Sequence, residues 1–370
     1  MNRNTGMYAG QVIGWMGGLQ VVGMDIAKSV FQLHTVDMHT GELQDKRLTR
    51  DKVLTFFSNR QPCVVAMEAC GGAHHWGRKL QQMGHQVRLV HAKAVRPFVL
   101  GNKTDTTDAR AIWLAVQQSG MRFVAVKTTE QQATLVLHRQ RQLLVKMRTM
   151  QLNALRGMLY EFGAVFPKRR DALLGEVQQA LEKLQDVLPQ PVRESLSEQV
   201  QRIRSFSQDI ADIEGRLKQQ LVADEQIQRL LSIPGVGLLT ATAAIATMGE
   251  ASQFKSGREF CAWLGLVPRQ EGTGGKVRLL GISKRGDSYL RTLLVHGARS
   301  LVCCGKTPSA WQSQLLERRH KNVAIVAQAA KTARIIWAVT AKGQTYQGGY
   351  QSSRPGQAKP VVEERAMTQS

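Results

Sequence analysis

Acids are in short supply in this chain. Over 370 residues, 28 Asp and Glu face 50 Lys and Arg, which gives a formal net charge of +22 and a pI of about 10.3. An excess on that scale makes a polyanion the expected partner, DNA or RNA in the simplest case. Basic ribosome-associated and membrane-surface proteins share the trait, so charge alone does not decide. Cysteine is scarce as well. Cys63, Cys70, Cys261, Cys303 and Cys304 form no CxxC pair and are odd in number. That sets aside a disulfide framework and a cysteine zinc site, and it favours a reducing, cytoplasmic setting. No run reaches 18 apolar residues, so no membrane-spanning helix and no membrane partner is expected. The first 20 residues hold five glycines and one basic residue and run straight into a strand; they read as a flexible leader, not a signal peptide. GxxxxGK[ST] is absent, which removes a Walker loop.

What is present is enough for a core. Hydrophobic residues make up 43%, and the length suits two or three domains. Residues 21–37, VVGMDIAKSVFQLHTVD, read as one β-branched strand ending at a turn over 39–42, with a return strand near 46–49. A helix over 51–59, a strand over 63–67, a helix over 74–83 and a strand over 86–90 follow. A helix over 104–118 places Ala109, Ile112, Trp113 and Val116 on one side, and 123–126 reads as a further strand. The order predicts an α/β domain with a mixed sheet over 21–128.

The texture then turns helical, over 129–228. Residues 129–160 read as one long helix, rich in Leu, with Arg139, Arg141, Lys146, Arg148 and Arg156 against the single acid Glu130. Leu196, Val200, Ile203, Phe206, Ile210, Ile213, Leu217 and Leu221 recur at steps of three and four. That seam suits either a coiled-coil arm or two helices packed only on each other. A last domain over 229–340 opens with an apolar stretch broken by a Pro-Gly-x-Gly turn, continues with a helix over 259–266 and a glycine-rich basic loop over 268–288, and closes with helices over 288–302 and 320–339. The tail, 341–370, lacks periodicity and is expected to be disordered.

Three places could carry chemistry. Asp25 lies among apolar neighbours in a strand, Glu68 ends a second strand, and Asp105 and Asp108 share a helix face. Four gathered acids repel unless cations neutralise them, and paired divalent ions do so while activating one oxygen and steadying another on phosphate. The plain alternatives are a helix cap for Asp105 and a turn for Glu68. Asp25 is harder to dismiss, because an unpaired buried acid is costly. The second place is IPGVG, 233–237. Its Gly235 and Gly237 either expose N–H groups to a phosphate or simply make a tight turn. The third is the loop GLVPRQEGTGGKVRLLGISKRGDSYLR, 265–291. Nine Lys or Arg and three acids lie within 254–299, among them Arg269, Lys276, Arg278, Lys284 and Arg285. Thr273 is a hydroxyl flanked by glycines and cations, suited to attack on phosphorus, and the bland alternative is a loop that only binds phosphates. His74, His75 and His91 show no metal-ligand spacing. Trp76, Trp113, Trp263 and Trp337 read as helix packing.

Taken together, GMDIAKSVFQLH, VVAMEACGGAHHW, NKTDTTDARAIW, LLSIPGVGLLTA and FCAWLGLVPRQEGTGGKVRLLGISKRGDSYLRTLLVHGAR resemble the transposases of the insertion-sequence 110 family. The last segment looks like the 1111 subgroup, and the likeness spans residues 21–340. The resemblance implies a RuvC-like, RNase H-like N-terminal domain whose DEDD acids fall on Asp25, Glu68, Asp105 and Asp108 with Mg2+ or Mn2+. It implies a coiled-coil region, then a mostly α C-terminal transposase domain with a helix–hairpin–helix-like segment. By the same resemblance the enzyme would be a bacterial, nucleoid-associated recombinase that joins DNA through a covalent protein–DNA link. An RNA from the element's noncoding end would guide it, and it would work as a homo-oligomer, a dimer of dimers. Arg139, Arg141, Lys146, Arg148, Gly235, Gly237, Arg269, Lys276, Arg278, Lys284 and Arg285 would hold nucleic acid. The chain departs from the family at the nucleophile: the position of the usual serine falls on Thr273. Either Thr273 acts, or Ser283 substitutes, or the copy is impaired. Two other functions compete: a metal-dependent Holliday-junction nuclease, and a non-catalytic nucleic-acid-binding remnant.

Overall fold

The computed structural model describes residues 15–348 apart from 17, 38–39, 102–103, 275 and 306–308. Most of the leader and the tail from 349 onward, both expected to be flexible, lie outside these residues. The chain divides into two compact units, one of residues up to 217 with 242–253, the other of 218–241 with 254 onward.

The first unit opens with β1 (Trp15–Met16), β2 (Leu19–Ile26), β3 (Val30–Val36), β4 (Leu43–Thr49), α1 (Lys52–Ser58), β5 (Val64–Glu68), α2 (Ala73–Gln82), β6 (Gln86–Val90), α3 (Ala92–Val95), α4 (Asp105–Val116) and β7 (Phe123–Val124). The strands form one mixed sheet in the order β4-β3-β2-β5-β6-β7, with β1 paired to β2. Strands β2, β5 and β6 run parallel at its centre; the remaining pairs are antiparallel. The single strand expected over 21–37 is instead a hairpin, because residues 27–29 turn the chain so that Met24 pairs with Leu33 and Ile26 with Phe31. The β-branched run hides this turn from a propensity reading.

Alternation along the central strands divides the core in two. Val22, Met24, Val65 and Met67 join Phe31, Val53, Phe57, Trp76 and Leu80 on the face covered by α1 and α2. Val21, Val64 and Ala66 join Ala111, Ile112, Trp113 and Val116 on the face covered by α4. Burial of these side chains at about 25 cal/mol per Å2 is the main force holding both helices to the sheet.

Next come α5 (Thr129–Tyr160), α6 (Arg170–Lys183) and α7 (Gln190–Ala223). Thr128 and Gln131 form a capping box that starts α5. Leu152, Leu155 and Leu159 of α5 pack with Leu173, Val177 and Leu181 of α6 and with Leu196, Val200 and Ile203 of α7. Helix α6 is an addition to the sequence reading; the run Lys168–Arg170 and Gly175 mask its apolar positions. On the α7 seam Leu196, Val200, Ile203, Ile210, Ile213 and Leu217 are buried within the chain, and Phe206 is half-buried. The opposite face of α5 carries the exposed residues Val136, Leu143, Met147, Met150 and Met158.

The remaining elements are α8 (Glu225–Leu231), α9 (Leu238–Met248), α10 (Gly257–Trp263), β8 (Pro268–Thr273), β9 (Lys276–Ile282), α11 (Ser288–Cys304), α12 (Ala310–Arg318) and α13 (Lys321–Lys342). Helix α9 begins in the second unit and ends in the first. Helix α13 is long and apolar enough to cross a membrane by length and composition. It is nonetheless a core helix: α8, α10, α11 and α12 pack on it, and Ile325, Ala329, Ala333 and Ile336 are buried there. The glycine-rich segment after α10, expected as a loop, is a two-stranded antiparallel hairpin. Both of its faces are exposed, so no alternation of burial marks it in the sequence. Sequence reading also missed α12.

Candidate functional site

The first site is built on β2, β5 and α4. Asp25 is the last residue but one of β2, and Glu68 ends β5. The two strands are parallel neighbours paired through Met24 and Met67, so both acids stand at adjacent carboxyl ends. Their parity matters. Asp25 follows Val21 and Gly23 in step of two, and Glu68 follows Val64 and Ala66, which places both on the α4 face of the sheet. Gly23 makes this approach possible. A Cβ there would lie 2.4 Å from the Ala109 carbonyl oxygen and 2.7 Å from Trp113 Cβ, so α4 rests directly on the glycine. The indole Nε1–H of Trp113 donates to the Val21 carbonyl at 3.1 Å and locks that seating.

Helix α4 carries the other pair. Ala109 and Trp113 face Gly23, and Asp105 lies one turn before Ala109 in the same row; Asp108 stands likewise before Ile112. Capping is done by Thr104, which accepts from the Thr107 N–H and forms a capping box with it, so Asp105 is not the cap. The charges of the other three acids act on Asp25. Burial raises the Asp25 carboxyl above its ordinary 3.8, and Asp108, Asp105 and Glu68 push it further, against a lowering hydrogen bond from the Ile26 backbone. The Cys70 thiol is raised by burial and then by Glu68 and Asp25.

Among the described residues, no three His, Cys, Asp or Glu side chains are gathered tightly enough to hold a metal ion as they stand. The chemistry of the donors nevertheless fits a hard divalent cation: all four are carboxylates, and a half-buried acid among like charges is the kind of group such a cation relieves.

The second site lies between α8 and α9. Gly235 takes φ +78°, and a Cβ there would lie 2.7 Å from Leu301 of α11. A Cβ on Gly297 would come 2.0 Å from the Gly235 carbonyl oxygen. Packing against α11 thus accounts for Gly235, whereas Gly237 has open space around it.

The third site is the β8–β9 ribbon. Thr273 pairs with Lys276 at its tip, Gly274 turns the chain at φ +57°, and Glu271 pairs with Arg278. Arg269 bridges Glu271 at 3.2 Å, and both side chains are exposed. The following loop is held firmly. The Ser283 N–H donates to the Val267 carbonyl at 2.9 Å, and the Lys284 N–H to Gly265 at 3.1 Å. Lys284, at φ +54°, is the one non-glycine residue at positive φ among the described residues. Arg291, which sequence reading passed over, donates from Nη1 to the carbonyls of Leu264 and Arg285 at 2.8 and 2.9 Å. Its only sequence signal is a cation in the first turn of α11. Lys284 and Arg285 are exposed on this clamped loop, as are Arg269, Lys276 and Arg278 on the ribbon.

The cations of α5 divide. Arg139 and Lys146 are exposed. Arg141 pairs with Glu214 of α7 at 2.7 Å, and Arg148 donates to the Ser207 hydroxyl at 3.3 Å, so these two also brace the helices.

Comparison with known proteins identifies the family. Residues 22–163 match a transposase model of the DEDD type in the IS110 group, and residues 227–313 match the model described as transposase IS116/IS110/IS902 family. A probable family 20 transposase of Pseudomonas aeruginosa is 46% identical over 90% of this chain and 99% of its own length. The transposase for insertion sequence element IS1111A of Coxiella burnetii is 40% identical over 90% of this chain and 93% of its own. That for IS1328 of Yersinia enterocolitica is 40% identical over 90% and 99%. With its acids converging beside a mixed sheet and both family models matched in order, the chain belongs to the IS110 family of transposases, enzymes that cut and join DNA, and carries the DEDD N-terminal domain of that family.

Proposed function

We propose that this transposase is an RNA-guided, site-specific recombinase that exchanges DNA strands through a covalent link on Thr273. The observation that carries the reading is the convergence of Asp25, Glu68, Asp105 and Asp108, whose fields meet on one carboxyl. In this reading the sheet, with order β4-β3-β2-β5-β6, is an RNase H-like core over 21–128. Residues 129–228 form the helical, coiled-coil arm, and 229–340 the transposase domain with a helix–hairpin–helix-like turn at IPGVG.

The four acids would hold Mg2+ or Mn2+, and a bound divalent ion supplies charge stabilisation at the scissile phosphate. The chain does the rest. The Thr273 hydroxyl oxygen attacks phosphorus, a threonyl phosphoester forms, the bond from phosphorus to the DNA oxygen breaks, and that oxygen leaves with a proton. The link conserves the phosphodiester energy, so reversal on a second strand rejoins DNA without ATP. Lys276, Arg278 and Arg269 lie near Thr273 in the ribbon and offset the charge that develops on phosphate. Arg139, Lys146, Lys284 and Arg285 contact backbones, of DNA or of a guide RNA from the element. The exposed apolar stripe on α5 supports a homo-oligomer, since Val136, Leu143, Met147, Met150 and Met158 remain uncovered in one chain.

The test is a suicide-substrate cleavage assay with Mg2+ and the flanking RNA, read on a denaturing gel with mass mapping of adducts. A protein–DNA adduct at Thr273, absent in Thr273→Ala and Asp25→Asn and kept in Thr273→Ser, is the expected outcome. Cleavage with free ends and no adduct would replace this reading with a hydrolytic nuclease. Binding without either product would leave a non-catalytic remnant.

A further inference from the structure

Beside the acids lie two adjoining open hollows, of about 480 and 370 Å3, that share Lys28, Arg50 and Trp76. The smaller one is lined by Ile26, the residue after Asp25, and by Cys70, two residues after Glu68. It therefore lies just past the ends of β2 and β5, on the α1 and α2 side of the sheet, whereas Asp25 and Glu68 face α4; Cys70, which feels the charges of both acids, links the two. The larger one extends from it toward His75 at the start of α2.

Arg50 is built into place, and Lys28 stands exposed on the turn it holds. The Arg50 N–H donates to the Ser29 carbonyl at 2.9 Å, and Arg50 Nη1 donates to the Lys28 carbonyl at 3.2 Å. The arginine thus straps the β2–β3 turn from both its backbone and its side chain. Its guanidinium lies 5.1 Å from the ring centroid of Trp76 and 6.0 Å from that of Phe31. Stacking on those buried rings fixes the plane of the fork and leaves its outer side to solvent. Neither Lys28 nor Arg50 forms an ion pair among the described residues, in contrast to Arg141, whose charge is met by Glu214. One acid, Asp51, lies in the lining of the larger hollow, against the two cations. Partial burial and the neighbouring Arg78, Lys79 and Arg50 hold His75 below its ordinary 6.5. Glycine opens the remaining side. Gly72 begins α2 at φ +86° with no side-chain cap, and with Gly71 it lines the smaller hollow, leaving that wall bare of side chains.

We infer that Lys28 and Arg50 form a seat for the sugar-phosphate backbone of a nucleic-acid strand, one that holds a phosphate next to the one engaged by the four acids. Two cations without an ion pair among the described residues, one of them strapped in place and faced by a single acid, on hollows that open past the ends of the strands bearing Asp25 and Glu68, match the needs of a polyanion running past that end of the sheet. The strand's own acids-facing phosphate is repelled by the carboxylates until a cation sits between them, so a neighbouring grip is needed to keep it there. Arg50 is the fork of this grip and Lys28 its point charge. Both act as positioning residues. The inference rests on the reading that the acids cut DNA, and it adds two residues that the DEDD pattern does not contain.

The experiment uses the full chain and a fluorescent 30-nucleotide oligothymidylate, with binding followed by anisotropy from low to high KCl. Each cation that no longer neutralises a phosphate of a single strand lowers the slope of log K against log salt by about 0.7. The double variant Lys28→Gln with Arg50→Gln should therefore lower the slope by about 1.4. The control, Arg47→Gln with Lys52→Gln, removes the same charge from neighbouring exposed positions outside the hollows and should leave the slope unchanged. Equal slopes for the two double variants, whether both lowered or both unchanged, would overturn the seat. Arg50 also packs on Trp76, so if its variant loses cooperative melting, Lys28→Glu on the exposed turn takes its place, with a fall of at least about 0.7 expected and no fall overturning the proposal. Asp25→Asn separates the two readings. It should bind with the wild-type slope or a steeper one and lose Mg2+-dependent cleavage of element-end DNA. If it cleaves normally the acid reading fails, while the seat is still decided by the slopes.

Discussion

The acid site and the Thr273 ribbon are built by opposite means. Asp25 and Glu68 are placed by a core: their strands are buried on both faces, and α4 is pressed onto Gly23 closely enough that even a methyl group would collide. Thr273 is placed by two strands with solvent on both sides, where Val277 and Leu279 are 67% and 61% exposed. An isolated hairpin is marginal in water. Its base is better held, by Arg291, Gly265 and Gly286 around the Lys284 loop. The difference teaches that electrostatic preparation is paid for in folding, whereas the final setting of the ribbon is left to what it contacts at work.

That contrast can be broken or sharpened in four ways, from the largest effect to the smallest. Asp25→Asn should lower DNA cleavage by at least about 100-fold, because charge stabilisation at the phosphate is worth several kcal/mol. It should not unfold the protein. The raised Asp25 carboxyl means that the folded state holds this proton more readily than the unfolded state does. Its contribution favours folding fully below 3.8 and is lost as pH rises through the raised value, so at pH 7 the ionised form is a net cost. Differential scanning calorimetry should show Asp25→Asn melting at or above wild type without metal, and Mg2+ raising the melting temperature of wild type more than that of the variant.

Gly23→Val should destabilise the first unit by on the order of 3 kcal/mol, as overpacking against backbone cannot be relieved by a side-chain shift. Urea unfolding followed by tryptophan fluorescence reports it directly, and an unchanged midpoint would contradict the seating of α4. By contrast, Gly274→Ala at the tip of the ribbon meets no neighbour within 4 Å and is expected to cost only the strain of its positive φ, about 1 kcal/mol.

Acid should weaken the first unit through two histidines. Burial, chiefly, lowers His74 and His138 from 6.5 to about 4. His74 accepts from the Lys127 N–H at 3.1 Å, and His138 Nε2 lies 3.0 Å from the Thr242 hydroxyl. A depressed histidine contributes stability that is present above 6.5 and lost as pH falls toward 4. His138→Gln should flatten that part of the stability-versus-pH curve. A curve of unchanged slope in the variant would remove His138 from the account.

The smallest effect belongs to the ribbon's apolar residues. Val277→Thr and Leu279→Thr should change thermal stability by less than about 0.5 kcal/mol, as exposed substitutions do. If they impair strand exchange while stability holds, the ribbon face meets a surface only in the working complex.

Much of the acid site was legible before the fold was known. An ionisable residue among apolar ones in a strand is costly, and that cost singled out Asp25; helical spacing joined Asp105 to Asp108. The capping alternative for Asp105 fell only when Thr104 was seen to do that work. Gly23, Lys28 and Arg50 were not legible. Each matters through a neighbour distant in the chain, Ala109, a turn carbonyl or Trp76, and no local periodicity announces such encounters. The ribbon was read as a loop for a related reason: strand patterns betray themselves by burying one face, and this one buries neither. Helix α6 escaped because a basic run and a glycine diluted its three buried positions, Leu173, Val177 and Leu181.

The alternation of β2 also works as an addressing scheme. Odd-numbered positions from Val21 to Asp25 deliver their contents to α4, and the even-numbered Val22 and Met24 deliver theirs to α1 and α2. Removing one residue between Val21 and Asp25 would leave composition, charge and every motif but one almost untouched, yet it would misdeliver the acid to the α1 and α2 side and send Ile26 to the place the acid held. Over this stretch the gene tolerates changes of letter far better than changes of count.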